Sequence, residues 1–144
     1  MATERRADAV WEGSLMEGSG TITSTGSGAL PQLPVTWASR AESPEGRTSP
    51  EELIAAAHAA CFAMALSHAL AEAGNPPERL ETSATVTFVP GTGITKSALT
   101  VSGRVPGIDG VAFAEAAEGA KDGCPVSGAL KGNVELTLDV AFDA

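Results

Sequence analysis

Two cysteines, Cys61 and Cys124, are the residues best suited to chemistry in this 144-residue chain. Cys61 lies in the apolar stretch AAHAACFAMALSHAL, and Cys124 directly precedes Pro125 in DGCPVSGAL. The thiolate is the reactive form of cysteine, and a helix N-terminus or a nearby cation makes it easier to form. Proline at a first helical position predicts Cys124 at the N-cap of a short helix, where free N–H groups favour a thiolate. Cys61 lies inside a longer helix, so it needs a nearby cation to ionise.

Each thiol also has a simpler interpretation. Cysteine is among the most buried residue types, and either thiol could be inert packing. A metal site would have to combine His58, Cys61 and Cys124. His68 lies about 10 Å of helix rise from Cys61, too far to share an ion, and no recognised ligand spacing occurs. We therefore expect no metal or cofactor, and we expect each histidine to be a core or interface group with one hydrogen bond.

The element that must position Cys61 is a long apolar helix from Pro50 to Ala73. Ser49 is its predicted N-cap, Glu52 completes a capping box, and Gly74 ends it. At about 1.5 Å per residue it would be roughly 36 Å long, and it needs cover on most of its sides. Polar residues within it favour a buried helix over a membrane span.

The rest of the pattern alternates short strands with one more helix. The Gly-rich region before residue 30 predicts strands with turns at Gly18, Gly20, Gly26 and Gly28, and a short strand follows at PVTWA. Alternation then predicts strands at SATVTFV, ITKSALTVSGRV and VELTLDVAF, with a helix between the last two that is capped by Asp109 and ends at Gly123. This order predicts a single α+β domain over residues 1–144.

Composition narrows the class of protein. The chain is 43% hydrophobic and 19% charged, but it has only four Phe, two Trp and no Tyr, so we expect further apolar burial at an interface. A net charge of −9 disfavours nucleic acid and anionic membrane surfaces. The first residues, MATERRADAVWEG, lack the apolar region typical of a signal peptide. We therefore expect a cytoplasmic protein, in which a disulfide would be transient and catalytic.

Several stretches together resemble the OsmC family, whose members are related to the Ohr organic hydroperoxide resistance proteins. They are WEGSLMEGSGTITSTGSGAL, WASR, TSPEELIAAAHAACFAMALS, VPGID, KDGCPVSGAL and VELTLDVAF. They run in the family's order from about Val10 to Phe142. The surroundings of the two cysteines are more similar to OsmC than to Ohr.

The resemblance implies a peroxidase that reduces organic hydroperoxides to alcohols. In the family the first cysteine attacks the peroxide and the second resolves it, which implies these roles for Cys61 and Cys124. The family's arginine and glutamate correspond to Arg40 and Glu51, and Arg47 is a possible rival to Arg40. The resemblance further implies an OsmC-like fold in an intertwined homodimer, with the long helix buried at its centre and packed against antiparallel sheets. It also implies recycling by a dithiol of the lipoyl type.

Helix geometry adds one inference to the resemblance. Glu51 and Cys61 are ten residues apart, about 15 Å of rise on an unbroken helix. An Arg40–Glu51 pair of the same chain would not reach Cys61, so we expect a partner chain to complete each site. Apolar neighbours such as Phe62 and Met64 would favour bulky hydroperoxides. The rival functions are a non-catalytic redox sensor that uses the same thiols, a small-ligand binding module, and a purely structural dimer.

Overall fold

The computed structural model describes residues 2–143, which fall into two compact units. The first unit ends at Leu53 and the second begins at Ile54, so the boundary lies within the long helix. The α+β class is confirmed, because each unit combines a three-stranded sheet with helices. That the whole chain forms one domain stays a prediction.

The first unit contains an antiparallel sheet of strands β1 (Ala7–Glu12), β2 (Ser19–Thr25) and β3 (Leu33–Val35). The strand predicted at PVTWA is wrong beyond Val35, because helix α1 (Trp37–Ala41) begins there. Thr36 and Ser39 form a reciprocal capping box, in which each side chain accepts from the other's backbone N–H. This cap satisfies the first N–H groups of α1 and turns the chain out of the sheet.

The long helix α2 (Pro50–Glu72) begins where the sequence predicts. The Ser49 hydroxyl accepts from the Glu52 N–H at 3.1 Å. The Glu52 carboxylate accepts from the Thr48 hydroxyl at 2.7 Å, whereas a capping box would direct it to the Ser49 N–H. The acidic first turn, Glu51 and Glu52, complements the positive end of the helix dipole.

The second unit contains strands β4 (Arg79–Val89), β5 (Gly93–Arg104) and β6 (Glu135–Phe142), in the order β4-β5-β6. Helices α3 (Gly110–Gly123) and α4 (Pro125–Leu130) connect β5 to β6. This sheet is mixed, since β4 is antiparallel to β5 and β6 is parallel to it, so the expectation of antiparallel sheets is wrong here. Parallel neighbours need a crossover connection, and α3 with α4 supplies it.

The core of the second unit packs one side of α2 against β5 and α3. Its buried members are Phe62, Leu66, Leu70, Leu99, Val101, Val105, Phe113, Ala117 and Ala120. Asp109 caps α3 as predicted, because its carboxylate accepts from the Ala112 N–H at 2.9 Å. Gly103 allows the Phe113 ring to approach β5, since a Cβ there would lie 2.6 Å from the ring. Phe62 belongs to this core, so it packs against other apolar side chains and does not line a substrate site.

Much of α2 is exposed within the described chain. By length and composition it could cross a membrane, yet core helices of soluble proteins share both properties. Only 22% of its most apolar 18-residue window is buried, and the Met64 side chain is 73% exposed. Burial of this helix on most of its sides stays a prediction.

Candidate active site

Cys124 lies at the junction of α3 and α4. It is the C-cap of α3 and the N-cap of α4, with Pro125 at the first position of α4, as the sequence predicts. Its side chain is 1% exposed. A buried thiol at this position faces the first N–H groups of α4, and these have no partner within the helix.

Cys61 meets Cys124 although 62 residues separate the two in sequence. Cys61 lies on α2 and is partly exposed, whereas Cys124 is buried, and both are free thiols. Their side chains interact through a thiol–thiol hydrogen bond. The Cys124 side chain forms no standard capping hydrogen bond at the start of α4. Sulfur is a weak donor and acceptor, so long contacts of this kind are usual.

The two thiols shift each other's pKa in opposite directions. Burial raises the pKa of Cys61, and the hydrogen bond to Cys124 raises it further. Burial also opposes ionisation of Cys124, but hydrogen bonds from Cys61, from the N–H groups of Ser127 and Val126, and from the Ser127 hydroxyl together lower the pKa of Cys124. Of the two thiols, Cys124 is therefore the more readily ionised, and Cys61 keeps its proton more firmly.

A buried polar chain adjoins this pair. His58 is 0% exposed, its Nδ1 lies 2.7 Å from the Ser97 hydroxyl, and its Nε2 lies 2.7 Å from the Ser127 hydroxyl. The expectation of one hydrogen bond for this histidine is wrong, because both ring nitrogens have partners. Burial lowers the pKa of His58 from its ordinary value of 6.5, so the ring is neutral at pH 7.

Sequence reasoning missed Ser97 and Ser127. One signal was available: His58 precedes Cys61 by three residues, and Ser127 follows Cys124 by three residues. On a helix this spacing places two residues on one face. When Cys61 and Cys124 meet, the same spacing therefore brings His58 and Ser127 together.

The histidine–serine contacts also bear on a metal site. Both nitrogens of His58 are engaged by hydroxyl groups. Within residues 2–143, no group of three or more His, Cys, Asp or Glu is arranged to hold a metal ion. The combination of His58, Cys61 and Cys124 considered from the sequence is therefore not preformed as a ligand set.

Arg40 and Glu51 form a forked ion pair in the first unit. Arg40 Nη2 lies 2.9 Å from Glu51 Oε2, and Nε lies 3.0 Å from Oε1. Glu51 is buried, while about a third of the Arg40 side chain is exposed. Arg47 is exposed. A fork of charge-assisted bonds fixes the plane of the guanidinium against the Glu51 carboxylate.

Comparisons with known proteins agree with the resemblance. The family model for OsmC, "OsmC-like protein", matches residues 43–139. The peroxiredoxin OsmC of Escherichia coli K12 is 48% identical over 142 residues, which covers 96% of each chain. The chain belongs to the OsmC family. The corresponding protein of Shigella flexneri matches this OsmC-family chain equally well.

Solved structures match the fold of this family member. An organic hydroperoxide resistance protein OsmC from Legionella pneumophila superposes with a TM-score of 0.70 at 26% identity, covering 94% of this chain and 96% of that one. The organic hydroperoxide resistance protein OhrB of Bacillus subtilis gives 0.68 at 26% identity, covering 94% and 98%. The higher identity to peroxiredoxin OsmC than to OhrB confirms that the chain is closer to OsmC than to Ohr.

The structure thus brings the predicted site residues together in two pairs, one in each unit. Cys61 meets Cys124, and Arg40 meets Glu51. That the guanidinium acts on the Cys61 sulfur stays a prediction, as do the four catalytic assignments.

The buried, neutral His58 predicts a specific pH dependence of stability. Between the lowered pKa of the folded ring and 6.5, the unfolded chain binds a proton that the folded ring does not. Stability should therefore fall as pH drops below about 6.5, by at most about 1.4 kcal/mol per pH unit from this group. Urea unfolding between pH 5 and 8 should show this slope in wild type and a reduced slope in His58→Gln.

The exposed His68 provides the matched control. His68→Gln should keep the slope of the wild type. An equal slope in wild type and His58→Gln would contradict a neutral buried ring.

Proposed function

We propose that this OsmC-family chain is a thiol-dependent peroxidase that reduces organic hydroperoxides to alcohols. The observation that carries the proposal is the contact between a partly exposed Cys61 and a buried Cys124. A peroxide can reach the first thiol, and the second is in place to resolve it. The relatives named peroxiredoxin OsmC and organic hydroperoxide resistance protein support the same reaction.

The first step is attack of the Cys61 thiolate on the peroxide. A sulfur–oxygen bond forms, the oxygen–oxygen bond breaks, and the alkoxide takes up a proton to leave as the alcohol, which converts Cys61 to a sulfenic acid. Burial and Cys124 both oppose ionisation of Cys61, so this step needs a cation. The Arg40 guanidinium is the proposed cation, because a permanent positive charge near the sulfur favours the thiolate.

Glu51 is proposed to orient that guanidinium. Its buried carboxylate takes both bonds of the Arg40 fork, which fixes the arginine in one plane. A buried carboxylate is tolerated because its charge is paired and hydrogen-bonded. Because Glu51 and Cys61 are separated by about 15 Å of helix rise, the pair is proposed to act on the Cys61 of a second chain.

The second and third steps regenerate the enzyme. The Cys124 thiolate attacks the sulfenic sulfur of Cys61, a disulfide forms, and the displaced hydroxide leaves as water after taking up the proton released by Cys124. A dithiol reductant then opens the disulfide by exchange and becomes oxidised to its own disulfide. A lipoyl-type dithiol is the proposed reductant, and the cytoplasm, where thiols stay reduced, is the proposed location.

A homodimer is proposed to cover the apolar surface. Large hydrophobic side chains are exposed in each unit, among them Trp11 in the first and Met64 in the second. Contiguous exposed apolar patches are typical of interfaces. In this arrangement α2 would be buried between two chains.

Peroxide turnover tests the function directly. With dihydrolipoamide as reductant, the wild type should consume cumene hydroperoxide continuously. Cys61→Ser should be inactive because it lacks the attacking sulfur. Cys124→Ser should be partly active and should accumulate a dimedone-reactive sulfenic acid, because the resolving thiol is missing.

One outcome would favour the rival redox sensor. A sensor would oxidise a single time and show no sustained peroxide consumption while the dithiol is present. Full activity of Cys61→Ser would contradict the proposal altogether.

Arginine replacement tests the proposed cation. Arg40→Met should raise the pKa of Cys61 and move the acid limb of the pH–rate profile to higher pH, with a loss of about tenfold or more in kcat/KM at pH 7. Arg47→Met, which removes an exposed arginine of the same region, is the matched control and should behave as wild type. The reverse result would assign the role to Arg47.

Light scattering tests the dimer. The wild type should have twice the 14.5 kDa mass of one chain, and Met64→Glu should weaken the association. Val111→Glu places the same charge at a similarly exposed apolar side chain on α3 and should leave the mass unchanged. A monomeric wild type with full peroxidase activity would contradict the shared site.

A further inference from the structure

The reaction proposed above leaves a buried polar chain without a role. This chain, the Ser97–His58–Ser127 relay, has three fully buried members from α2, β5 and α4 and two contacts of 2.7 Å. Burying a histidine and two hydroxyl groups costs free energy unless every polar atom is paired. An apolar trio would fill the same space without that requirement. The relay ends at Ser127, which also contacts the Cys124 sulfur.

We propose that His58 is a positioning residue for Cys124, because its Nε2–H engages the Ser127 oxygen and leaves the Ser127 hydroxyl proton free to donate to the Cys124 thiolate. This inference rests on the proposed peroxidase function for its role, since Cys124 is the resolving thiol there. It goes beyond that function by assigning a task to two residues that neither touch the peroxide nor form the disulfide.

Hydrogen-bond accounting fixes the direction of the relay. A neutral imidazole has one donor and one acceptor nitrogen, and each serine hydroxyl has a single proton to donate. If Nε2 accepts, the Ser127 proton is spent on the ring and none is left for sulfur. If Nε2 carries the proton, Ser127 accepts from the ring and donates to Cys124, while Nδ1 accepts from Ser97. Only the second arrangement stabilises a thiolate.

Other groups near Cys124 act less directly. The N–H groups of Val126 and Ser127 belong to the backbone of α4, and they remain whatever side chain is present. Lys121, Asp122 and Lys131 line a cavity with Ser127, but Lys121 forms an ion pair with Glu118. Bulk salt screens charges at the surface more than a buried hydrogen bond. A relay effect should therefore persist at high ionic strength.

A stabilised Cys124 thiolate serves two steps. It provides the nucleophile that attacks the Cys61 sulfenic acid, with its proton passing to the departing hydroxide. When a dithiol later attacks Cys61 in the disulfide, Cys124 is the leaving sulfur, and a thiol of lower pKa leaves faster. The relay would thus accelerate both resolution and recycling.

Alkylation of Cys124 by iodoacetamide tests the inference without any peroxide. In a Cys61→Ser background, so that one thiol is read out, Ser127→Ala should slow alkylation at pH 7 by about tenfold, because a charge-assisted hydrogen bond to the thiolate is lost. The slower rate should persist in 1 M NaCl. An unchanged rate would overturn the proposal.

Two amide replacements separate positioning from packing. The amide nitrogen of His58→Gln takes the place of Nε2 and can still donate to Ser127, whereas the shorter His58→Asn takes the place of Nδ1 and reaches Ser97 only. We expect near wild-type alkylation for His58→Gln and a slow rate, like that of Ser127→Ala, for His58→Asn. Equal rates for the two amides would contradict the assignment.

The double variant and a serine control complete the test. His58→Asn should have no further effect on alkylation once Ser127 is Ala, because it acts through that hydroxyl. Ser97→Ala breaks the other bond of the same ring, and it should lower stability without slowing alkylation by a similar factor. Additive slowing in the double variant would indicate a merely structural role.

A measurement on the Cys61→Ser protein does not depend on further variants. Above the pKa of Cys124, nitrogen-15 NMR should show His58 protonated at Nε2, and protonation at Nδ1 would overturn the relay. These readouts are independent of turnover. If cumene hydroperoxide is not consumed but the alkylation pattern holds, the proposed function fails while the effect on Cys124 stands.

Discussion

The site depends on one contact, between the sulfur atoms of Cys61 and Cys124. The two residues come from different helices, and their meeting requires that α2 pack against the sheet of the second unit and that α4 begin directly at Cys124. Phe62 and Leu66, which follow Cys61 on α2, are buried in the core and hold this part of the helix in place. The apolar core therefore sets the position of a reactive pair that it does not itself contain.

Contact between the two thiols makes one of them easier to ionise than the other. The contact raises the pKa of Cys61 and lowers that of Cys124, so it favours ionisation at Cys124. Backbone N–H groups and the Ser127 hydroxyl add to this preference at the Cys124 sulfur. The proposed attack by Cys61 therefore needs a cation from elsewhere, and Arg40, held by Glu51, is the proposed source.

The proposed dimer would explain why the Arg40–Glu51 pair lies far from Cys61 along α2. Helix α2 is apolar and largely exposed in the single chain, and nine residues of helix lie between Glu51 and Cys61. Association of two chains would bury the helix and could bring the arginine of one chain to the thiol of the other. The same interface would then supply both stability and a complete site, so that an isolated chain would be a poor catalyst.

Local signals in the sequence determined the elements and one feature of the site. The caps Ser49 and Asp109, the proline after Cys124 and the alternation in β4 and β6 all act through neighbouring residues, so they could be recognised without a fold. The pairing of the cysteines and of Arg40 with Glu51 came from a family resemblance, and local pattern alone did not predict either.

Tertiary structure alone decided the parallel pairing of β6 and the partners of His58. Parallel pairing depends on how the α3–α4 crossover packs, and His58 finds its partners 39 and 69 residues away. Such contacts leave no local pattern in the sequence, because they form only when the packed core brings distant segments of the chain together. The sequence by itself thus determined which residues could react, and packing decided which of them meet.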